Sequence, residues 1–341
     1  MPQAVKKFQS IQLLRLVAAL MVVVFHSKSA IWPTEDRELL WWWPSFSDFG
    51  DLGVSLFFVI SGFIIASVIS KRSFSTSSFL WHRFWRIYPL YLLVMMAALF
   101  MFWRRNWFHW DIETLGTAGM IKSFLILPQK PFPFWAPGWS LEHELLFYVV
   151  AALVVPLLGL RALAALMFVV AIIGMKFVTF WDWHLFASYQ LYFGAGIIAF
   201  LLRDRRWYEA LPIALGLLAC AYSYYYKAFT APYQIIEFAF ALGCAALIVT
   251  LLDIERRGWN VPKPFVVIGD ASYSLYLWHW MVIPFASGGR ETWGGSPELW
   301  RWIIVAVSIA VALLSHRYIE VLCDDFSHGR LKFQRKVAPA E

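Results

Sequence analysis

Long runs of apolar residues, separated by short polar connections, recur along the whole chain of 341 residues. One of them, LGVSLFFVISGFIIASVI at residues 52–69, contains no charged side chain. A helix of about 20 apolar residues crosses the hydrocarbon core of a bilayer. The sequence therefore predicts an all-α, polytopic membrane protein with about ten transmembrane helices in a single bundle. The predicted spans are residues 12–31, 51–70, 86–103, 139–159, 162–181, 186–202, 209–226, 232–252, 267–286 and 302–322.

The composition supports a membrane protein over a soluble one. Hydrophobic residues make up 60% of the chain and charged residues 15%, whereas soluble domains have about 45–50% and about 25%. The 20 tryptophans include three in a row at residues 41–43, and tryptophan is enriched where helices leave the bilayer. The three cysteines (Cys220, Cys244 and Cys323) are isolated, so they predict neither a zinc site nor a disulfide framework.

One membrane-embedded domain is predicted over residues 1–341, with a transmembrane region of about 12–322 and a short basic tail at 323–341. Lysine and arginine are nearly twice as frequent beside the span ends on the side of the N-terminus as on the other side. This bias predicts that both termini are cytoplasmic and that the chain is a multi-pass protein of the inner membrane. The net charge of +7 is then largely a topology signal, and no nucleic-acid partner is predicted.

The first span, which contains RLVAALMVVVFH, has ionisable groups near both ends, Arg15 and His26. Such groups are costly in lipid and usually face the interior of a helix bundle. In a helix the two residues lie on one face, separated by about 16 Å along the axis. The simpler alternatives are an arginine that reaches the interface for Arg15, and an interhelical hydrogen bond for His26.

The segment FLWHRFWRIYPLYLL at residues 79–93 begins the third span and carries Arg83 and Arg86. Residues three apart are neighbours on a helix surface, and two guanidinium groups on one face suit phosphate binding. Together with Arg15 they would place three arginines at one membrane level. Ordinary anchoring of basic residues at the interface is the alternative.

The fourth span begins with PGWSLEHELLFYVV at residues 137–150. Glu144 is expected at about the same depth as His26, about 7–8 Å below the membrane edge, where a carboxylate could orient the imidazole. Glu142 and His143 are expected nearer the surface, pointing elsewhere. Alternatively, Glu144 bonds to a helix end.

Two further segments carry possible functional groups. In the ninth span, Tyr273, Tyr276 and His279 share roughly one helix face, although such residues also occur in interfacial aromatic belts. In the second span, Ser61 and Gly62 favour close packing of helices.

These groups together predict a phosphate-rich donor with a long thin arm. Acyl-coenzyme A (acyl-CoA) has this shape: its phosphates would bind Arg15, Arg83 and Arg86, and its thioester would reach His26. His26 could take the proton of an acceptor hydroxyl, while Glu144 stabilises the imidazolium. Acyl-CoA would be a donor substrate; no permanently bound cofactor and no metal are predicted.

At these residues the sequence resembles the integral-membrane acyltransferase family 3, which O-acylates cell-surface and exported glycans and some antibiotics. The resemblance covers nearly the whole chain and rests on five ordered motifs. Arg15 with His26 fits the arginine–ten residues–histidine signature, FFVISGFII the second-span motif, and Arg83 with Arg86 the arginine pair. WSLEHELLFY, with Trp139 and Ser140, fits the fourth-span motif, and SYSLYLWH, with Tyr273 and His279, the late tyrosine–histidine motif.

The resemblance implies that His26 is catalytic, that Glu144 is the functional acid and that the arginine pair serves donor binding or activity. The chain looks most similar to the branch that acetylates exopolysaccharides. It departs from the family where a second acid is usual, because residue 145 is leucine. No extracellular esterase-like domain is expected after the last span.

The sequence thus predicts an enzyme that moves an acetyl or other small acyl group from acyl-CoA to a sugar hydroxyl of a lipid-linked or exported polysaccharide. A proton-coupled transporter is the alternative from another class, since buried Arg, His and Glu also build proton relays. A glycan polymerase or ligase is a further rival. The acyl group, the glycan, the oligomeric state and a transient acyl-enzyme stay open, since Ser27, Ser61, Ser140 and Ser272 have no clear nucleophile setting.

Overall fold

A computed structural model of the protein describes residues 8–31, 50, 52–105, 108–130, 132–176, 184–225 and 232–330. Within these ranges the chain is helical and contains no β-strand, which confirms the all-α prediction. The three tryptophans at 41–43 and the last eleven residues of the predicted tail lie outside the described residues.

The described helices follow one another with short connections. They are α1 (Gln9–Ile31), α2 (Leu52–Ile69), α3 (Thr76–Arg105), α4 (Phe108–Leu125), α5 (Gly138–Leu158), α6 (Leu160–Gly174), α7 (Gln190–Leu201), α8 (Trp207–Tyr225), α9 (Tyr233–Arg256), α10 (Lys263–Asp270), α11 (Ser272–Trp293), α12 (Pro297–Ser315), a π-helical turn (His316–Glu320) and α13 (Val321–Ser327).

Among the described residues, six segments are long and apolar enough to cross a membrane: Gln9–Ser27, Leu52–Ile69, Thr76–Arg104, Gly138–Leu158, Gln234–Arg256 and Glu298–Ser327. They coincide with six of the ten predicted spans. Large apolar side chains face outward from several of them, such as Leu157 and Phe100, as expected for contact with lipid rather than water. The chain is a membrane protein on this ground.

The other four predicted spans stay predictions. Two of them, 162–181 and 186–202, correspond to the shorter apolar helices α6 and α7, and the helix expected at 267–286 instead begins at Ser272, after the separate helix α10. The segment after Leu322, predicted as a tail, stays helical to Ser327. Helix α4 lies where only a connection was expected, and Gly116, with φ of 60°, interrupts it.

Helices α2 and α7 cross at close range through two glycines. A Cβ atom on Gly62 would lie 2.2 Å from the carbonyl oxygen of Phe193, and one on Gly196 would lie 2.0 Å from that of Val59. Small residues allow such backbone contact between helices in membranes. The close packing predicted at Gly62 is therefore confirmed.

A carboxylate from a distant helix holds the N-terminal end of α1. Glu255 of α9 accepts hydrogen bonds from the backbone NH groups of Gln9 and Ser10, at 3.0 and 2.9 Å, and from the Ser10 hydroxyl. The first NH groups of a helix have no partner inside the helix, so this contact caps α1. It fixes α1 relative to α9, and hence the height of Arg15 in the bundle.

We expect Gly62→Ala to destabilise the protein by about 1–3 kcal/mol, the usual range for overpacking, because the added methyl group meets backbone rather than a movable side chain. Thermal unfolding of the detergent-purified protein measures the effect. Gly216→Ala in α8 is the matched control, since nothing lies within 4 Å of its added Cβ. Equal stability of the two variants would contradict the close crossing.

Candidate active site

A cavity with a volume of about 470 Å³ lies between α1, α2, α3, α5, α11 and the segment from the π-helical turn onward. Seven of the ten residues selected from the sequence line it. They are Arg15, Ser61, Arg83, Arg86, Ser140, Glu144 and Tyr273. The sequence prediction that these segments converge on one site is therefore correct for these seven, although their roles stay predictions.

Arg86 is already paired with a carboxylate that the sequence analysis missed. Its guanidinium forms an ion pair with Glu320 and lies over the ring of Tyr273, 5.4 Å from the centroid. Glu320 also accepts hydrogen bonds from the backbone NH of Ser274, at 3.1 Å, and from the Ser274 hydroxyl. The charge of Arg86 is thus balanced within the protein, and the clamp of Arg83 and Arg86 on a phosphate stays a prediction.

Arg83 has a different environment. Its guanidinium lies over the rings of Phe79 and Tyr148, 5.7 and 5.8 Å from their centroids, and none of the ion pairs between described residues involves it. Arg15, across the cavity, donates from Nη1 to the Gln12 side-chain oxygen at 3.0 Å. Arg15 and Arg83 are therefore better placed than Arg86 to meet an incoming anion.

Glu144 does not bind His26, which corrects the partner expected from depth alone. Its carboxylate accepts hydrogen bonds from the Ser61 hydroxyl, at 2.7 Å, and from the Tyr148 hydroxyl. Tyr148 lies one helical turn after Glu144, and Ser61 is supplied by α2, which packs beside α5. Glu144 therefore organises the cavity wall next to Arg83.

The partner of His26 is His279. Nδ1 of His26 lies 3.0 Å from Nε2 of His279, and the rings stack with centroids 5.1 Å apart. His279 is fully buried, whereas His26 is partly accessible. The indole of Trp280 meets the His26 ring edge to face at 4.7 Å.

Among the described residues, the cavity reaches only one end of the expected slot. Arg15 lines the cavity, but His26 and His279 do not. Tyr276 connects the two regions, since it lines the cavity and its ring centroid is 5.9 Å from that of His279. Because α1 is one helix from Gln9 to Ile31, Arg15 and His26 lie on one face as predicted, but helical periodicity could not show that Arg15 alone of the two would line the cavity.

The two remaining candidates of the fourth-span motif are Ser140, which contacts Tyr276, and Trp139. Ser140 Oγ lies 2.8 Å from the Tyr276 hydroxyl, which also donates to the Pro137 carbonyl at 3.0 Å. Trp139 lies outside the cavity lining and packs against Phe58 and Tyr189, with centroids 6.3 and 5.2 Å away.

Glu142 and His143, expected near the surface, are instead almost completely buried, with 1% and 0% exposure. A carboxylate oxygen of Glu142 lies 2.6 Å from Nε2 of His184, and the rings of His143 and His184 stack at 4.8 Å. No group of three or more His, Cys, Asp or Glu side chains among the described residues is placed to hold a metal ion. The contacts of Glu142 and His143 with His184 connect α5 to the segment before α7.

Comparison with known protein families gives a match: the sequence model of the acyltransferase domain family matches residues 8–317 of this chain. The chain is 29% identical to the exopolysaccharide production protein ExoZ of Rhizobium meliloti, over 73% of this chain and 81% of that protein. No solved structure matches the chain.

Two other relatives show lower identity. The peptidoglycan O-acetyltransferase OatA of Listeria monocytogenes is 24% identical over 92% of this chain, which spans only 55% of that longer protein. The putative membrane-bound transacylase BcsY of Komagataeibacter xylinus is 24% identical over 70% of this chain and 67% of that protein.

We expect His184→Phe to lower stability by about 3–5 kcal/mol, since it keeps a ring beside His143 but leaves the buried Glu142 carboxylate without its closest partner. Adding Glu142→Leu should recover much of this loss, because the double variant has no stranded charge. Thermal unfolding in detergent measures His184→Phe, Glu142→Leu and the double variant. A double variant as unstable as the sum of the two single changes would contradict a paired role.

Proposed function

Because this chain belongs to the acyltransferase domain family, we propose that it is a membrane-bound O-acyltransferase that uses acyl-CoA. It transfers an acetyl or other small acyl group to a sugar hydroxyl of a lipid-linked or exported polysaccharide. One observation carries the proposal: an imidazole pair lies directly beyond a cavity that contains three arginines. Membership of an acyltransferase family also removes the transporter alternative.

The donor would bind with its phosphates at Arg83 and Arg15. Charge-assisted contacts from guanidinium groups to phosphate are strong and directional, and a pocket of this volume falls in the range used for small-molecule ligands. The paired Arg86 and Glu320 would form a fixed wall of the site. From there the pantetheine arm would extend toward Tyr276, and its thioester would pass this ring to reach His26.

His26 would act as the general base in direct transfer. It takes the proton of the acceptor hydroxyl as the oxygen attacks the thioester carbonyl carbon. The new C–O bond forms, the C–S bond breaks, and the imidazolium returns the proton to the leaving CoA thiolate. Glu144 would serve the donor side of the site, because its bonds hold Tyr148 beneath the Arg83 guanidinium.

The names of the relatives support the acceptor class, and the charge bias supports the topology. ExoZ is named for exopolysaccharide production and OatA for peptidoglycan O-acetylation, so we assign a polysaccharide acceptor. The excess of basic residues on the side of the N-terminus supports cytoplasmic termini in the inner membrane. Acyl-CoA would then enter at the end of the cavity near Arg83.

We expect Arg83→Ala to weaken acetyl-CoA binding by about tenfold or more, since a hydrogen bond to a charged group contributes about 1.5–3 kcal/mol. Isothermal titration calorimetry on the purified protein gives the Kd. Arg161→Ala is the matched control, because Arg161 is exposed and does not line the cavity. Unchanged affinity in Arg83→Ala would show that the phosphates bind elsewhere.

We expect His26→Ala to abolish polysaccharide acylation, since the reaction then lacks its base. Mass spectrometry of surface glycans compares a deletion strain complemented with wild type, His26→Ala or Arg161→Ala at equal protein levels. The acyl groups should be present with wild type and Arg161→Ala and missing with His26→Ala. Normal acylation in the deletion strain itself would refute the proposed acceptor class.

A further inference from the structure

The hydrogen bonds around His279 run in a single direction. Its Nδ1 lies 2.6 Å from the backbone carbonyl oxygen of Tyr276, and a carbonyl oxygen can only accept a hydrogen bond. Nδ1 of His279 therefore carries a hydrogen. A neutral imidazole has one N–H group, so Nε2 of His279 is an acceptor.

This direction determines the tautomer of His26. The atom 3.0 Å from the His279 acceptor is Nδ1 of His26, which must therefore donate. The His26 ring also hydrogen-bonds to the Val22 carbonyl in the preceding helical turn, an acceptor that the same N–H can serve. The lone pair of neutral His26 is then on Nε2, the nitrogen farther from its own backbone.

The opposite arrangement is costly. For Nδ1 of His26 to accept, His279 would have to carry hydrogens on both nitrogens and hence a positive charge. Its side chain is fully buried, and no ion pair among the described residues includes it. Burial of a charge without a partner carries a large free-energy penalty, so the arrangement with both imidazoles neutral is favoured.

The burial of the two rings follows the same order. The Tyr276 carbonyl and His279 lie inside the bundle, whereas His26, the last group in this series of hydrogen bonds, is partly accessible. A buried ring that is itself held by the backbone thus presents an acceptor to a more accessible ring. In many acyl-transfer enzymes a second group, usually a carboxylate, orients the catalytic imidazole and fixes its tautomer.

We propose that His279 is a positioning residue, which holds the proton of His26 on Nδ1 and so presents Nε2 as the base toward the acceptor hydroxyl. The role given to Nε2 rests on the proposed function, whereas the tautomer itself does not. A neutral histidine takes the place that a carboxylate has in many triads. This avoids a second charge in the apolar interior.

The tautomer is measured by NMR of protein labelled with ¹⁵N in histidine, with the His26 signals identified by their loss in His26→Ala. We expect a protonated Nδ1 and an unprotonated Nε2 in neutral His26 of the wild type. The reverse pattern would overturn the proposal whether or not the protein transfers acyl groups. Absence of transfer from acetyl-CoA by wild type, with the expected NMR pattern, would instead refute the proposed function alone.

The positioning role is tested by kinetics with acetyl-CoA. We expect His279→Leu to lower kcat by about 100-fold or more, while KM for acetyl-CoA stays within about twofold, because the donor site is not altered. His279→Gln, whose amide oxygen can accept from Nδ1 of His26, should recover at least tenfold of that loss. Thermal unfolding identifies any variant that fails to fold.

Two kinetic results would overturn the positioning role. One is wild-type kcat in His279→Leu, which would show that His26 needs no such partner. The other is an equal loss of kcat in folded His279→Leu and His279→Gln, which would show that His279 does more than accept a hydrogen bond.

Discussion

The free-energy cost of placing polar groups among apolar helices determines the centre of this protein. Four ionisable groups each contact a partner from a segment far away in sequence: Arg86 with Glu320, Glu144 with Ser61, His26 with His279, and Glu142 with His184. A group without its partner would cost several kcal/mol in such surroundings. The contacts that satisfy these groups therefore also hold the helices together around the cavity.

These contacts give the three arginines of the cavity different environments. Arg86 is held by a carboxylate at the π-helical turn, whereas Arg83 rests on aromatic rings and Arg15 on a glutamine side chain. A phosphate-bearing donor would thus meet two arginines that form no ion pair with another described residue. Tyr148 lies under Arg83 and donates to Glu144, so that the acid of the fourth-span motif acts on the donor side in this account.

The sequence predicts the helical class, six of the membrane spans and the residues that share a face of each helix. These predictions succeed because apolar run length and helical periodicity are local properties. The partner of each group is not local: Glu320 is the one acid in the last predicted span, residues 302–322, and nothing in its neighbourhood points to Arg86. Depth matching suggested that Glu144 would bind His26, but the rotation of α5 turns it toward Ser61. For the same reason Glu142 and His143 are buried where a surface position was expected.

In the proposed reaction, one acyl-CoA molecule spans the distance from the arginines to His26. A cryo-electron microscopy structure of the protein bound to acetyl-CoA would show whether it does. We expect phosphates within hydrogen-bonding distance of Arg83 and Arg15, a displaced Tyr276 ring, and a thioester carbonyl carbon within about 4 Å of Nε2 of His26, close enough for an attacking hydroxyl to contact both. Phosphates bound away from these arginines, or a thioester that stops on the cavity side of an unmoved Tyr276, would contradict the proposed reaction.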